Sequence, residues 1–352
     1  MNNNSGQFET NRETGSFELP VTGSFPITYA SDIEAALQFI KDHDDFLVVA
    51  HVQPDGDAIS STLIIGWLLR KWGKTFTMMN NNCPPGRLGF LANSEDIVIY
   101  EQLGHDADRT YSAIICVDCA DYERIGKVVD WVHTDAAILN IDHHPTNNRY
   151  GSVALIREDA AATAEILFDM LSYAQIDLDT DVATAMYTGL LTDTGGFRYS
   201  NTSSHVMQVA AQLLDYGVQG SQIADRLLEQ MSLAQMLLIK RGLSRLAFTE
   251  DHRVSWLFIT PQDMMDTGAL NEDLEGLVNY PRNIEGVDVG ILFKQLEDQR
   301  VKVSLRSNEK ADVSAIAQHF GGGGHVRAAG CTILKPLHEA IKEVIEQVKQ
   351  HL

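Results

Sequence analysis

The sequence predicts an α/β protein: a doubly wound, mainly parallel sheet joined by a helical connector to a smaller α+β domain with a mixed sheet. Three observations predict it. From Phe46 onward, short apolar runs alternate with stretches of helical period, the pattern of successive βαβ units. Past residue 246 the apolar runs come in adjacent pairs instead, as antiparallel hairpins do. Finally, 352 residues at 44% hydrophobic composition exceed what one core usually organises, since single cores stop growing near about 250–300 residues.

Residues 1–28 are rich in Asn, Ser, Gly, Thr and Glu without periodicity, and are expected to form a disordered tail. FLVVAH (46–51) reads as a buried strand, 57–72 as a helix and KTFTMMN (74–80) as a second strand. Further strands are expected at 112–117 and 136–141 with a helical stretch at 122–132 between them, then helices at 160–173 and 181–191. These make up a first domain at 29–215. The reading stays helical to about 246, with 216–245 as the connector. RLAFTEDH then pairs with RVSWLFIT, and VDVGILFKQLEDQ with RVKVSLRS. Helices at 312–320 and from 336 onward complete a second domain at 246–352. No repeat of solenoid length is present.

The chain carries 48 acidic against 27 basic residues, a formal charge of -21, which repels long duplex nucleic acid and favours a short anionic substrate drawn in by metal ions. The longest obvious apolar stretch, LIIGWLL at 63–69, falls well short of the roughly 18 residues that span a bilayer. Without a charged segment leading into an apolar one at the N-terminus, the chain reads as cytoplasmic and has no membrane partner. Cys116 and Cys119 form a C-x-x-C, but Cys83 and Cys331 supply no second pair at zinc-site spacing, so buried strand thiols are expected.

Chemistry collects at the strand ends, where doubly wound sheets gather their ligands. AHVQPDGDA, ICVDCAD and NIDHHPT each end a strand, LLTDTGGF ends a helix, and GGGGHVRAAG lies in the second domain. His51 precedes a turn in which Gly56 lets Asp55 and Asp57 face two neighbouring cations; a surface turn with Asp57 starting a helix accounts for the same residues. A carboxylate at Asp118, closing an apolar strand, is costly unless hydrogen-bonded or coordinated, and Asp121 competes for that role. Adjacent His143 and His144 point in different directions, so one can ligate a metal while the other reaches substrate, with Asp142 fixing a ring tautomer. Asp193 leads into a Gly-Gly turn. Taken together, these carboxylates and imidazoles are the ligands of paired divalent cations and announce a metal-dependent hydrolase. Glycines at 321–324 leave backbone amides open to an anion, and Arg306 can hold a phosphate bidentately. No Gly-Lys-Ser/Thr follows the glycines, which excludes a Walker loop.

In this order the motifs resemble the DHH phosphoesterases, over about residues 29–352. HVQPDGDA, VDCAD, DHH and TDTGGF stand in the first domain, and SLRS and GGGGHVRAAG in the DHH-associated C-terminal domain. Their order and spacing are similar to the stand-alone oligoribonuclease and pAp phosphatase group, the NrnA type. The resemblance implies that His51, Asp55 and Asp118 ligate one metal ion, and Asp57, Asp118, His143 and Asp193 the other, with Asp118 bridging. It implies two Mn²⁺ ions, with Mg²⁺ or another divalent cation as substitutes. It gives His144 contact with the scissile phosphate or assistance to proton transfer, so the catalytic set is His144, Asp118 and Asp142. It assigns Arg306, Gly322, Gly323, Gly324, His325 and Arg327 to grip the substrate's phosphates and terminal nucleotide. A homodimer is a further expectation from the resemblance.

The function implied is hydrolysis of short oligonucleotides (nanoRNA) to mononucleotides, of 3'-phosphoadenosine 5'-phosphate (pAp) to AMP, or both, by two-metal activation of water. A phosphodiesterase for c-di-AMP or pApA uses the same metal site and stands as the alternative. A family II inorganic pyrophosphatase shares the metal motifs but looks for a basic cluster in place of GGGGHVRAAG. A non-catalytic nucleotide-binding regulator would have lost ligands, and every expected ligand is present.

Overall fold

The computed structural model describes residues 27–103, 109–296, 300–308 and 311–352. It divides into two compact units, the first ending at Leu228 and the second running from Glu229 to Leu352. The expected tail lies outside the described residues except for Ile27 and Thr28, which open a helix. The stretch 216–245, read as a connector, is shared between the two units. Among the described residues, no helix is long and apolar enough to cross a membrane.

In the first unit, α1 (Ile27–Asp42) precedes β1 (Phe46–Val49), α2 (Gly56–Lys71), β2 (Phe76–Asn80), β3 (Val98–Ile99), β4 (Tyr111–Val117), β5 (Val132–Asp142) and β6 (Val153–Ile156). The helices α3 (Thr163–Tyr173), α4 (Thr180–Asp193), α5 (Ser204–Asp215) and α6 (Gly220–Ala224) follow. The strands form one sheet in the order β3-β2-β1-β4-β5-β6, every adjacent pair parallel. Phe46 and Val48 enter a core with Ile64 and Leu68 of α2, while Leu47 and Val49 enter another with Cys116 and Ile125. Burial on both faces explains why FLVV is an unbroken apolar run rather than an alternating one. The order reverses between β1 and β4, since the chain leaves β1 toward β2 and β4 toward β5 on the other side. A crevice opens at the carboxyl ends of strands at such a switch point.

Two departures from expectation have physical causes. The helix expected at 122–132 is a 3₁₀ run, Tyr122–Trp131, broken at Gly126, whose φ of +66° is left-handed. A Cβ at Gly126 would also lie 2.6 Å from Val52 Cγ1 and 2.7 Å from Asn81 Oδ1, so the backbone passes too close for any other residue. The helix α1 and strand β6 were not anticipated; they contact each other, and Ile33, Ile40 and Leu155 belong to one core.

The second unit contains α7 (Leu233–Leu243), β7 (Ala247–Phe248), β8 (Val254–Ile259), α8 (Pro261–Thr267), α9 (Asn279–Arg282), β9 (Val289–Gln295) and β10 (Arg300–Ser307). It closes with α10 (Val313–His319), β11 (Gly323–His325), β12 (Ala328–Leu334) and α11 (Leu337–Lys349). Its sheet runs β11-β12-β10-β9-β8-β7 and is mixed: β8 and β9 pair parallel, while the other neighbours pair antiparallel. On β10, Val301, Val303 and Leu305 are buried against residues of α10 and α11, so the alternate residues Lys302, Ser304 and Arg306 share the opposite face.

Candidate metal centre

His51 follows β1 and is 5% exposed; Asp118 follows β4 and is 1% exposed. Both sit at the switch point. The backbone of Asp118 adopts a left-handed φ of +51°, a conformation that costs free energy in a non-glycine residue and is held here by its N–H donating to Ile141 O at 2.9 Å. Its carboxylate lies 3.5 Å from His51 Nε2 on one side and 3.6 Å from His143 Nε2 on the other. His143 Nε2 is also 3.3 Å from Asp193, the last residue of α4.

The ligand atoms of His51, Asp55 and Asp118 lie within 4.8 Å of one another, and so do those of Asp57, His143 and Asp193. Asp118, His143 and His144 make a third such group around the same carboxylate. His51 and His143 are oriented alike. Their Nδ1 atoms hydrogen-bond to the carbonyls of Val52 (2.8 Å) and Ala160 (3.2 Å). A carbonyl only accepts, so Nδ1 carries the proton and Nε2 is left to face the carboxylates, the tautomer a metal ligand needs. His144 is turned the other way, with Nδ1 at 2.7 Å from Asp142 Oδ1.

Asp57 is completely buried in the first turn of α2. Its carboxylate accepts from Thr163 N at 2.6 Å and Ala164 N at 3.0 Å, the opening amides of α3. That helix has no side-chain cap of its own, so a carboxylate 106 residues earlier in the chain satisfies its free N–H groups and sits in the positive end of its dipole. Thr163 Oγ1 donates to Asp118 at 3.1 Å, and Asn201 Nδ2 bridges Ala161 O and Asp193 O. Asp55 caps α2, accepting from Asp57 N and Ala58 N at 3.1 Å each; the capping and metal-facing roles coexist in one side chain.

The charges are strained by proximity. Burial alone would lower the His51 imidazole, but its hydrogen bond to Asp118 and the fields of Asp118 and Asp55 raise it to about 9. His143 is likewise buried yet carried well above the ordinary imidazole range by Asp193, Asp118 and Asp57. Burial would raise Asp118, but His51, His144 and His143 together hold it well below the usual carboxylate range. Asp57 is pushed well up by lost hydration and by Asp118 and Asp193. Buried carboxylates and imidazoles with anchored Nδ1 atoms are a donor set that fits divalent cations of the Mn²⁺ or Mg²⁺ kind. Protons on His51 and His143 are then what a cation displaces. Binding of Mn²⁺ at pH 7 is therefore expected to release protons, and the apparent affinity to climb as pH rises toward the His51 value of about 9. Calorimetry in two buffers of different ionisation enthalpy reads this directly; a buffer-independent heat would contradict it.

Cys116 and Cys119 are buried beside this site but belong to none of the metal-holding groups among the described residues. Burial pushes the Cys119 thiol up to about 12, and its Sγ donates to Asp121 O at 3.2 Å.

In the second unit, Arg306, Ala328 and His325 are directly opposite one another on β10, β12 and β11. Arg306 and His325 thus share a face with the small Ala328 between them. Gly323 is exposed, and a side chain there would meet nothing. Gly322 and Gly324 answer to a different need: a Cβ would stand 2.1 Å from Gly330 O at one and 2.5 Å from Ala328 O at the other, so they let β11 lie close against β12. Arg327 is exposed in the short turn between those strands, outside the row of Arg306 and His325.

A model of the DHH family N-terminal domain matches residues 45–190, and one of the DHHA1 domain matches 255–352. A Thermus thermophilus protein named bifunctional oligoribonuclease and PAP phosphatase NrnA is 35% identical over 87% of this chain and 89% of its own. The chain belongs to the DHH family. A Bacillus subtilis DHH relative of the same name is 25% identical over 84% of this chain and 92% of its own. The crystal structure of an exopolyphosphatase-related protein from Bacteroides fragilis superposes with a TM-score of 0.83 at 26% identity, covering 91% of this chain and 96% of that one. As a DHH protein the chain is a hydrolase of phosphoester bonds that binds divalent metal.

Side chains and backbone groups that the sequence reading passed over complete the site. Thr163 Oγ1 holds Asp118, Ala160 O holds His143 Nδ1 and Asn201 Nδ2 ties the Asp193 carbonyl to that of Ala161, and Gly189 of α4 backs Asp57 so closely that a Cβ there would lie 2.6 Å from its Oδ1. The α3 amides that hold Asp57 have no local mark in the sequence, since they open an Ala-rich run.

Proposed function

We propose that the chain hydrolyses short oligonucleotides to mononucleotides and 3'-phosphoadenosine 5'-phosphate to AMP, with two Mn²⁺ ions held in the first unit. The observation that carries this reading is the shared position of Asp118, which joins the His51–Asp55 pair to the Asp57–His143–Asp193 group. His51, Asp55 and Asp118 would hold one ion, and Asp57, Asp118, His143 and Asp193 the other. Bound there, the ions supply Lewis acidity toward the phosphoryl oxygens and lower the pKa of water. The rest falls to the chain. Asp57 and Asp118, tied down by the start of α3, keep their orientation when substrate arrives. Asp142 engages His144 Nδ1, so His144 acts through Nε2 on the scissile phosphate or on the proton of the leaving oxygen.

In the second unit, Arg306 and His325 would bind phosphate, with Gly323 leaving room beside them and Arg327 in the adjoining turn. Truncating Arg306 to Ala is expected to raise KM about tenfold or more while kcat changes little, because a charge-assisted contact is worth about 1.5–3 kcal/mol. A fall in kcat at unchanged KM would remove Arg306 from substrate binding.

The names of the Thermus and Bacillus relatives support this substrate class. Product analysis on pAp, short RNA, pApA, c-di-AMP and pyrophosphate under matched Mn²⁺ concentrations tests it. Turnover of pAp and short RNA is expected; preference for c-di-AMP or pApA would favour the dinucleotide alternative, and cleavage of pyrophosphate alone would overturn the reading.

A further inference from the structure

We propose that Asn147 is a positioning residue for His144, acting through Asp142. The proposal rests on the reading above, in which His144 works on the scissile phosphate. Asn147 lies in the loop after β5, and its Nδ2 stands 2.7 Å from Asp142 Oδ2 and 2.8 Å from Asn140 Oδ1. The two amide hydrogens therefore have two near acceptors, with Cys119 O a third and longer one at 3.5 Å. Asp142 is completely buried, and its other oxygen takes His144 Nδ1 at 2.7 Å. Its carboxylate is pinned at both ends, so it cannot rotate without breaking one bond or the other.

Asn140, also completely buried, carries the link to the next strand end. Its Nδ2 reaches Cys119 O at 3.2 Å and Cys116 O at 3.4 Å, the carbonyls on either side of Asp118. Tyr150 reinforces them, its hydroxyl donating to Cys119 O at 2.8 Å. Asn147 also folds its own loop: its Oδ1 accepts from Arg149 N at 2.6 Å, and its N–H donates to His144 O at 3.1 Å. One amide thus ties together the end of β5, the His144 loop and the segment that carries Asp118.

The chemistry demands a double donor. A carboxylate at position 147 would face the carboxylate of Asp142 and repel it. An alanine would leave a buried carboxylate oxygen unpaired and Asp142 free to swing.

The test compares wild type, Asn147→Ala, Asn147→Asp, Asn147→Ser, His144→Ala and the Asn147→Ala/His144→Ala double variant on pAp and pApA with Mn²⁺. Each is read for kcat, KM, bound metal and Tm. Asn147→Ala is expected to lower kcat about 10–100-fold, as loss of an outer hydrogen-bond partner does, with KM and metal content little changed. Asn147→Asp falls further, and Asn147→Ser, which keeps one donor, recovers part of the loss. In the His144→Ala background Asn147→Ala costs nothing more, because both act through one imidazole. Should Asn147→Ala fail to fold, Asn147→Ser in the two backgrounds makes the same comparison. Losses that multiply in the double variant, or that follow Tm across the series, overturn the proposal, as does an unimpaired His144→Ala. A wild-type protein that hydrolyses neither substrate sinks the functional reading instead.

Discussion

Replacing Asp118 by Ala is expected to lower kcat/KM on any phosphoester substrate by more than about a thousandfold, equivalent to about 4 kcal/mol of transition-state stabilisation. Its carboxylate is the one acidic group paired with both His51 Nε2 and His143 Nε2 among the described residues, so on the proposed assignment its removal takes a ligand from each half of the centre. The loss is compounded electrostatically. With Asp118 gone, the centre loses a negative charge that attracts the cations, while His51 loses the largest attraction that raises it and His143 keeps that of Asp193. Steady-state kinetics and metal analysis of the purified variant check this together; near-normal turnover with full metal content would remove Asp118 from its bridging role.

The second large effect is expected at Gly189, a position that touches no substrate. A Cβ added there would lie 2.6 Å from Asp57 Oδ1 and 2.7 Å from Ala164 Cβ, closer than real atoms approach. Gly189→Ala must therefore push Asp57 off the amides of Thr163 and Ala164 or shift α3 against α4. Overpacking of this kind costs about 1–3 kcal/mol. Tm should drop by several degrees, roughly 2–4 °C for each kcal/mol in a unit of this size. Displacement of Asp57 should lower kcat about 10–100-fold, as loosened support of a metal site does. Thermal denaturation and kinetics decide it: a variant with both values unchanged would show that the contact between α4 and Asp57 is not tight.

Much of the fold was legible because burial on both faces leaves a plain mark. FLVV and the apolar run ending at Val117 are too short for helices and too uniformly apolar for exposed strands, and they became β1 and β4. The hairpin pairs of the second unit were legible for the complementary reason: β10 alternates buried and outward residues along its whole length. What stayed hidden was decided by contacts distant in sequence. Helical period runs through 204–246 without saying which core each turn packs against, and the division falls after Leu228. Gly126 breaks 122–132 into 3₁₀ turns because Val52 and Asn81 crowd it, which no local pattern announces.

The site divides in the same way. His51, Asp57, Asp118, His143 and Asp193 stand out as acids and imidazoles ending apolar segments, and the fold brings them together. The groups that hold them are mostly backbone: the amides of Thr163 and Ala164, and the carbonyls of Val52, Ala160 and Ile141. Every residue has those, so a run such as DAAATAE carries no chemical signature. Asn147 hid for another reason, since an Asn two residues past a Pro reads as an ordinary turn residue until its two acceptors are seen.

Counting bound divalent ions per chain during a Mn²⁺ titration, while following hydrolysis of pAp in the same samples, tests the central claim most directly. Two ions per chain are expected, with turnover rising as the pair fills and vanishing on chelation. Undiminished hydrolysis by a chelated protein free of metal, or full turnover with both His51 and His143 replaced by Ala, would contradict it.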